Sequence, residues 1–462
     1  MNRRSFLGSS LVASVLCVQP RLALSITAPA TYDLEAHVGK GRLYGEDGGV
    51  SDLWLYNKTL PGPEMRVRRG ETLRVNFTNR LDTPTSIHWH GIRIDNRMDG
   101  VAGLTQEPVQ PGESFIYEFT VPDAGTFWYH AHTMSWNQVP RGLAGALIVE
   151  EDVPAFPREQ DLTLFLSDWR LDDGGRLDTA SFGAMHDFSH AGRLGNWLTV
   201  NGKSMPDIPL VQGVWHRLRV INGSAARVLD LDPSRFGAQV IALDGQALES
   251  VPETSGALQL SPGQRVDLAL KPEALGAMPF EMTTGQPFAF ARFMVTEGPT
   301  SSGPRNRPLV AANALPKPDL SKVRRMPLDM AGGAMGGMRA LMEAGKDPRA
   351  MMQNGQFWAF NGEPGSMERE PLFRAKQGES IQLDMANDTA FTHAIHLHGH
   401  HFQVLSLNGE AQDPQDWRDT VTLHRKDTAS VAFQADNPGK WLLHCHMLGH
   451  AVSGMTTWFE VG

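Results

Sequence analysis

Between Met65 and Asn79 apolar and polar residues alternate. Met65 and Val67, then Leu73, Val75 and Phe77, stand at every second position, with Arg66, Arg68, Arg74 and Asn76 between them. A period of two is that of a half-buried strand. The Pro- and Gly-containing run at residues 57–63, and Gly70-Glu71 between the two strands, are turn chemistry. The same phrase returns twice. Asn201-Gly202 leads through Gly213 to Arg217-Leu218-Arg219-Val220-Ile221-Asn222, and Asn361-Gly362 leads through Gly378 to Ile381-Gln382-Leu383-Asp384-Met385-Ala386-Asn387. Three copies roughly 150 residues apart predict three related β-units. The expected fold is all-β: consecutive Greek-key β-sandwiches over residues 26–152, 153–297 and 298–462. Composition breaks at Glu150-Glu151-Asp152-Val153-Pro154 and in the Gly/Ser/Pro-rich residues 298–308 place those boundaries.

A different pattern interrupts the third unit. Seven of the chain's 20 methionines fall in residues 326–352: Met326, Met330, Met335, Met338, Met342, Met351 and Met352. Met335, Met338 and Met342 have helical spacing, so a short, partly helical Met-rich insert is expected. Paired glycines beside it suggest mobility.

Length and composition suit a globular protein with ample core: 462 residues, 41% hydrophobic and 20% charged. A net charge of -9 argues against nucleic acid or an anionic membrane surface as partner. Arg3-Arg4 before Ser5-Phe6-Leu7, an apolar run at residues 11–18 and small residues near 23–25 read as a twin-arginine export signal over residues 1–25. The run is too short for a stable membrane anchor. A periplasmic protein delivered by the twin-arginine export machinery, acting as a monomer, is therefore expected. Of two cysteines, Cys17 lies in the signal, which leaves Cys445 alone and no intramolecular disulfide. A single thiol in an oxidising compartment is at risk unless a metal holds it.

Cys445 sits in His444-Cys445-His446, at the end of the apolar strand-like Trp441-Leu442-Leu443. Alternation sends Cys445 to one face and both histidines to the other, so the tripeptide can feed two metal sites. Three more clusters answer it: His88-Trp89-His90, His130-Ala131-His132, and His393 with His396 and His398. With His450 these hold ten of the 17 histidines. Four H-x-H pairs supply eight imidazoles to one multinuclear centre. His393, Cys445, His450 and a weak axial Met455 make a blue-copper ligand set. Eight imidazoles without a carboxylate fit structural zinc poorly. The middle unit has no such pair. It reads as a spacer, with Asp168-Trp169-Arg170 structural. His186 and His190, four apart after Met185, read as part of a polar surface loop, with an accessory metal site as the alternative.

These four motifs in order resemble the multicopper oxidases built of three cupredoxin domains, over essentially the whole chain after the signal. The resemblance implies four copper ions. His88 and His396 would hold type 2. His90, His130, His132, His398, His444 and His446 would hold the type 3 pair. His393, Cys445 and His450, with Met455 axial, would hold type 1. It also implies dioxygen as the electron acceptor, reduced to water. Asp99 matches a position where the family places a proton-supplying carboxylate, although Met98-Asp99-Gly100 is also turn chemistry. Ala451 and Gly449 replace glutamates common in relatives, which leaves more of the proton path to Asp99.

The donor is read from the Met-rich insert. It resembles that of bacterial cuprous oxidases, with Met326, Asp329 and Met330 as candidate ligands of a substrate copper and Met335, Met338 and Met342 as a relay. Thioethers select Cu(I). The segment has no histidine, and Thr389 stands where a carboxylate is expected before His393. A laccase-like oxidase of phenols, aromatic amines or Mn(II) is the alternative, with the insert as a lid. A non-catalytic scaffold is a third reading, opposed by the complete ligand set.

Overall fold

The computed structural model describes residues 28–253, 255–283, 287–298, 306–335, 337–343 and 345–462. The expected signal with Cys17, and part of residues 298–308, lie outside them. The chain is all-β, and the alternating runs form the strands they predict. Residues around Met65 form Gly62–Arg68, and those around Val75 form Thr72–Asn79. The two later copies form His216–Asn222 and Glu379–Asn387.

The repetition extends to single hydrogen bonds. Asn57, Asn201 and Asn361 each adopt a left-handed φ, at 49°, 50° and 50°, in a tight turn after a strand. Each side chain then staples its turn to a neighbouring strand. Asn57 accepts from the N–H of Glu35 and donates to Asp33 O. Asn201 does so with Phe165 and Thr163, and Asn361 with Asp329 and Pro327. The asparagines that end the three phrases also act alike. Asn79, Asn222 and Asn387 each donate to main-chain carbonyls and accept from the N–H two residues on. In every copy the strand of the phrase pairs in parallel with the strand that its turn asparagine caps.

Around the first copy, two four-stranded sheets enclose one core that contains Leu34, Leu73, Phe77, Trp89, Tyr129 and Leu147. Around the third, a seven-stranded and a five-stranded sheet enclose another, with Ile381, Leu383, Ile395, Leu443 and Cys445. The middle copy has its own core between these in sequence, from Leu164 to Val295.

The Met-rich insert is only partly helical. Met326 and Met330 lie on the strand Arg324–Gly332. Helices follow at Met338–Glu343 and Pro348–Gln353. Met335 precedes the first helix in a left-handed conformation, φ 59°, so it does not share a helical face with Met338 and Met342. The stretch expected as a polar loop around His186 forms the helix Met185–Ser189. Among the described residues no helix is long and apolar enough to cross a membrane.

Candidate metal centre

Each H-x-H pair sits at or just past the end of a strand: Ile87–His90, Gly125–Ala131, His393–Leu397 and Gly439–Cys445. Alternation anchors each pair. Trp89, Tyr129 and Ala131 point into the first core, and Ile395, Leu397, Leu443 and Cys445 into the third. The histidines between them face the opposite way and meet one another. His88 stacks on His398 and His90 on His396, both with centroids 3.8 Å apart. His130 and His446 lie 5.3 Å apart, and His132 and His444 5.6 Å. Two distant pieces of chain thus close one cage of eight imidazoles.

One ring nitrogen of most of these histidines is fastened outward. Nδ1 of His88, His130, His396 and His444 lies 2.9–3.0 Å from a main-chain carbonyl, of Asp99, Ala131, Asp419 and Cys445 respectively. Nδ1 of His398 lies 3.0 Å from the Asp99 carboxylate. The other nitrogens of His88, His130 and His396, and both nitrogens of His90 and His446, are buried without a hydrogen-bond partner. His90 Nε2 lies 3.4 Å from Asp419 Oδ1 but lacks hydrogen-bond geometry. Buried, unpaired lone pairs are costly. A fastened outer nitrogen with a free inner one is the arrangement of metal-binding histidines. Burial, and then neighbouring imidazoles, hold His90, His130, His132, His398 and His446 well below the usual imidazole range. His444 is pushed down to about 3 by the same causes. These rings are therefore neutral, the form that binds metal.

On the other face of the same strand, Cys445 Sγ lies 3.6 Å from His393 Nδ1 and 3.7 Å from His450 Nδ1. The two Nδ1 atoms are 3.1 Å apart. Their outer nitrogens are occupied: Thr389 Oγ1 lies 2.8 Å from His393 Nε2, and His450 Nε2–H donates to His190 O at 2.6 Å. Met455 is fully buried in the same core, and its carbonyl accepts from the Cys445 N–H at 3.0 Å. Burial pushes the Cys445 thiol up to about 12. Only a metal would favour the thiolate in this pocket. Imidazole and thiolate here, beside a cage of imidazoles alone, fit copper.

Asp99, a candidate from the sequence, is buried, with its carboxylate reaching both His398 and His88 Nδ1 at 3.0 and 3.2 Å. The Met-rich candidates do not assemble. Met330 is fully buried in the third core, with Met326 packed against it, whereas Asp329 points to the exposed face of the same strand. One ion cannot reach both faces. Met338 packs on Leu341 and Met351, and Met335 and Met342 are exposed.

Three residues not singled out in the sequence complete the site. Asp419 lies against His396 and His90 and pairs at 2.6 Å with Arg265, itself fully buried. Arg265 also donates to Thr126 O at 3.0 Å. A Cβ on Gly263, φ +89°, would stand 2.9 Å from His90 and 3.0 Å from His446. The middle unit therefore touches the cage although it gives no histidine to it. No periodicity marks these positions. Trp417-Arg418-Asp419-Thr420 reads as an ordinary turn into a strand.

Comparison with known proteins agrees with this geometry. Family models described as multicopper oxidase match residues 38–153 and 343–462. The crystal structure of a multi-copper oxidase from Pseudomonas thermotolerans superposes with a TM-score of 0.82 and 33% identity, over 94% of this chain and all of that one. The chain belongs to the multicopper oxidase family. Among curated relatives of this oxidase, the multicopper oxidase MmcO of Mycobacterium tuberculosis is 28% identical over 89% of this chain and 83% of its own length. Laccase-1 of Botryotinia fuckeliana is 29% identical over 89% and 79%. Copper is the family's cofactor, and the enzyme oxidises a reducing substrate at the expense of dioxygen.

Proposed function

We propose that this multicopper oxidase is a periplasmic cuprous oxidase that protects the cell from copper. One observation carries the choice of donor: His450 is fully buried. Trp358 lies over its ring at 4.3 Å, and the carbonyl of His190 occupies its outer nitrogen. A phenol that must touch this imidazole edge has no approach. A metal ion needs only donor atoms on the surface nearby, and the exposed thioether of Met335 follows Ala334, whose N–H donates to Ser189 O next to His190. The signal-like residues 1–25 support export, and the threefold asparagine pattern supports three units divided near residues 152 and 297.

Within this reading His393, Cys445, His450 and Met455 hold type 1 copper, His88 and His396 type 2, and the other six cage histidines the type 3 pair. Copper bound there supplies one-electron oxidation at the thiolate site and reduction of dioxygen within the cage. The chain does the rest. Cys445 and its covalent neighbours His444 and His446 join the two sites through a few bonds. The outward-fastened nitrogens hold the ring orientations. Asp99, in contact with two cage histidines, holds and passes protons.

The test is oxygen uptake by copper-loaded enzyme, with a stabilised Cu(I) complex as sole reductant and a methoxyphenol in parallel. Uptake with Cu(I), and phenol turnover that depends on added Cu(II), is the expected result. Rapid phenol turnover without added copper, and little response to Cu(I), would make the enzyme a laccase with the insert as its lid. Replacing Met335, Met338 and Met342 together by Leu should lower cuprous oxidation more than phenol oxidation.

A further inference from the structure

Whatever reduces the mononuclear site must hand in its electron from outside the His450 ring. The His450 Nε2–H bond to His190 O, at 2.6 Å, leads straight to one short surface element. The helix Met185–Ser189 ends at His190 and carries His186 four residues earlier, so both imidazoles project from one face. Their rings stack with centroids 4.0 Å apart and planes 12° apart. Nδ1 of His190 is bonded to Ser189 Oγ at 3.0 Å, and its Nε2 has no hydrogen-bond partner among the described residues. His186 is exposed, and its ring has no hydrogen-bond partner among the described residues. Two exposed thioethers adjoin the pair. Met185 precedes His186. Met335 follows Ala334, whose N–H donates to Ser189 O at 2.8 Å.

We propose that His186 and His190 form the docking site for the cuprous donor, with Met185 and Met335 as accessory soft ligands. This inference rests on the cuprous-oxidase reading above. Two imidazoles four apart on a helix chelate one metal ion, and imidazole with thioether suits Cu(I). A shared ion must lie in both ring planes. The exposed His186 ring therefore turns to meet it, and gives up no hydrogen bond in doing so. The docked Cu(I) loses one electron and leaves as Cu(II). The electron passes through the His190 main chain and its hydrogen bond into His450. Four such events, with four protons, reduce one dioxygen to two waters, so no further reductant is needed.

The probe is Ag(I), a redox-inert stand-in for Cu(I), titrated calorimetrically into the copper-loaded enzyme. His186→Ala and His190→Ala should each lose one Ag(I) equivalent or bind it at least about 10-fold more weakly, and should raise KM for Cu(I) by a similar factor. The blue absorption should persist, because the His190 carbonyl remains and the mononuclear site stays assembled. Unchanged Ag(I) binding in both variants overturns the docking site. So does an unchanged KM for Cu(I) in both variants of a parent enzyme that oxidises Cu(I). A parent that consumes oxygen with the phenol and none with Cu(I) overturns the cuprous reading itself, and this inference with it.

Discussion

Asp99 contacts His398 and His88 from a fully buried position, which places its carboxylate to orient both rings and, in the proposed function, to pass protons to the cage. Asn keeps its shape and removes its proton chemistry. Asp99→Asn should retain copper yet slow reoxidation of the reduced enzyme by about 10²-fold or more, measured by stopped flow. Unaltered reoxidation would reduce Asp99 to the turn residue that its Asp-Gly sequence also allows. Cys445 offers a second test at this scale. Cys445→Ser removes the one sulfur lying 3.6–3.7 Å from both His393 and His450. The blue absorption should vanish, while copper bound by the eight cage imidazoles remains, as read by metal analysis.

Among the elements, the strands that carry the histidines were legible in the primary structure because alternation is local. Trp89 between His88 and His90, and Cys445 between His444 and His446, settle which face each ring takes before any tertiary contact forms. The insert was less legible. Methionine spacing suggested one helix over Met335, Met338 and Met342, and the helix Met338–Glu343 takes in the last two but not Met335. Met330, a candidate copper ligand, joins a strand and is buried as core, since a period-two run beside Leu328 pairs with Glu379–Asn387. Gly263 shows what element packing adds. Its turn presses on His90 and His446 with room for a hydrogen only. Gly263→Ala should cost about 1–3 kcal/mol and lower cage copper content, detected by thermal unfolding and metal analysis. Full copper and an unchanged Tm would mean that the rings yield freely.

For the molecule as a whole, the middle copy also braces the other two. Arg265 binds Asp419 of the third unit and Thr126 of the first, and all of these groups are buried. Arg265→Met would strand Asp419, so a loss of about 3–5 kcal/mol is expected. A second brace lies at Asp161, which pairs with Arg219 at 2.6 Å and with Arg66 of the first unit at 3.2 Å. Burial alone would raise this carboxyl, but the guanidinium of Arg219, with Arg217 and Arg66, holds it well below the usual range. A carboxyl depressed on folding stabilises the protein above its unfolded value, near about 4, and loses that contribution as pH falls below it. The stability gap between the parent and Asp161→Asn should thus be constant above about pH 5 and shrink below about pH 4, as followed by denaturant unfolding. A gap independent of pH would remove the charge from the account.

The sequence alone determined the β character, the threefold asparagine phrase, the side of each strand on which every cluster histidine falls, and the separation of Cys445 from its neighbours. All of these follow from steric periodicity within a few residues. Tertiary structure decided the rest. It alone stacks His88 on His398 and His90 on His396, because those contacts join residues some three hundred positions apart. It also decided that Asp419 and Arg265 brace the cage, that His450 is sealed beneath Trp358 and His190, and that Met330 is core while His186 and Met335 are exposed. Each of these depends on which faces are buried when separate sheets pack, and no local pattern carries that information.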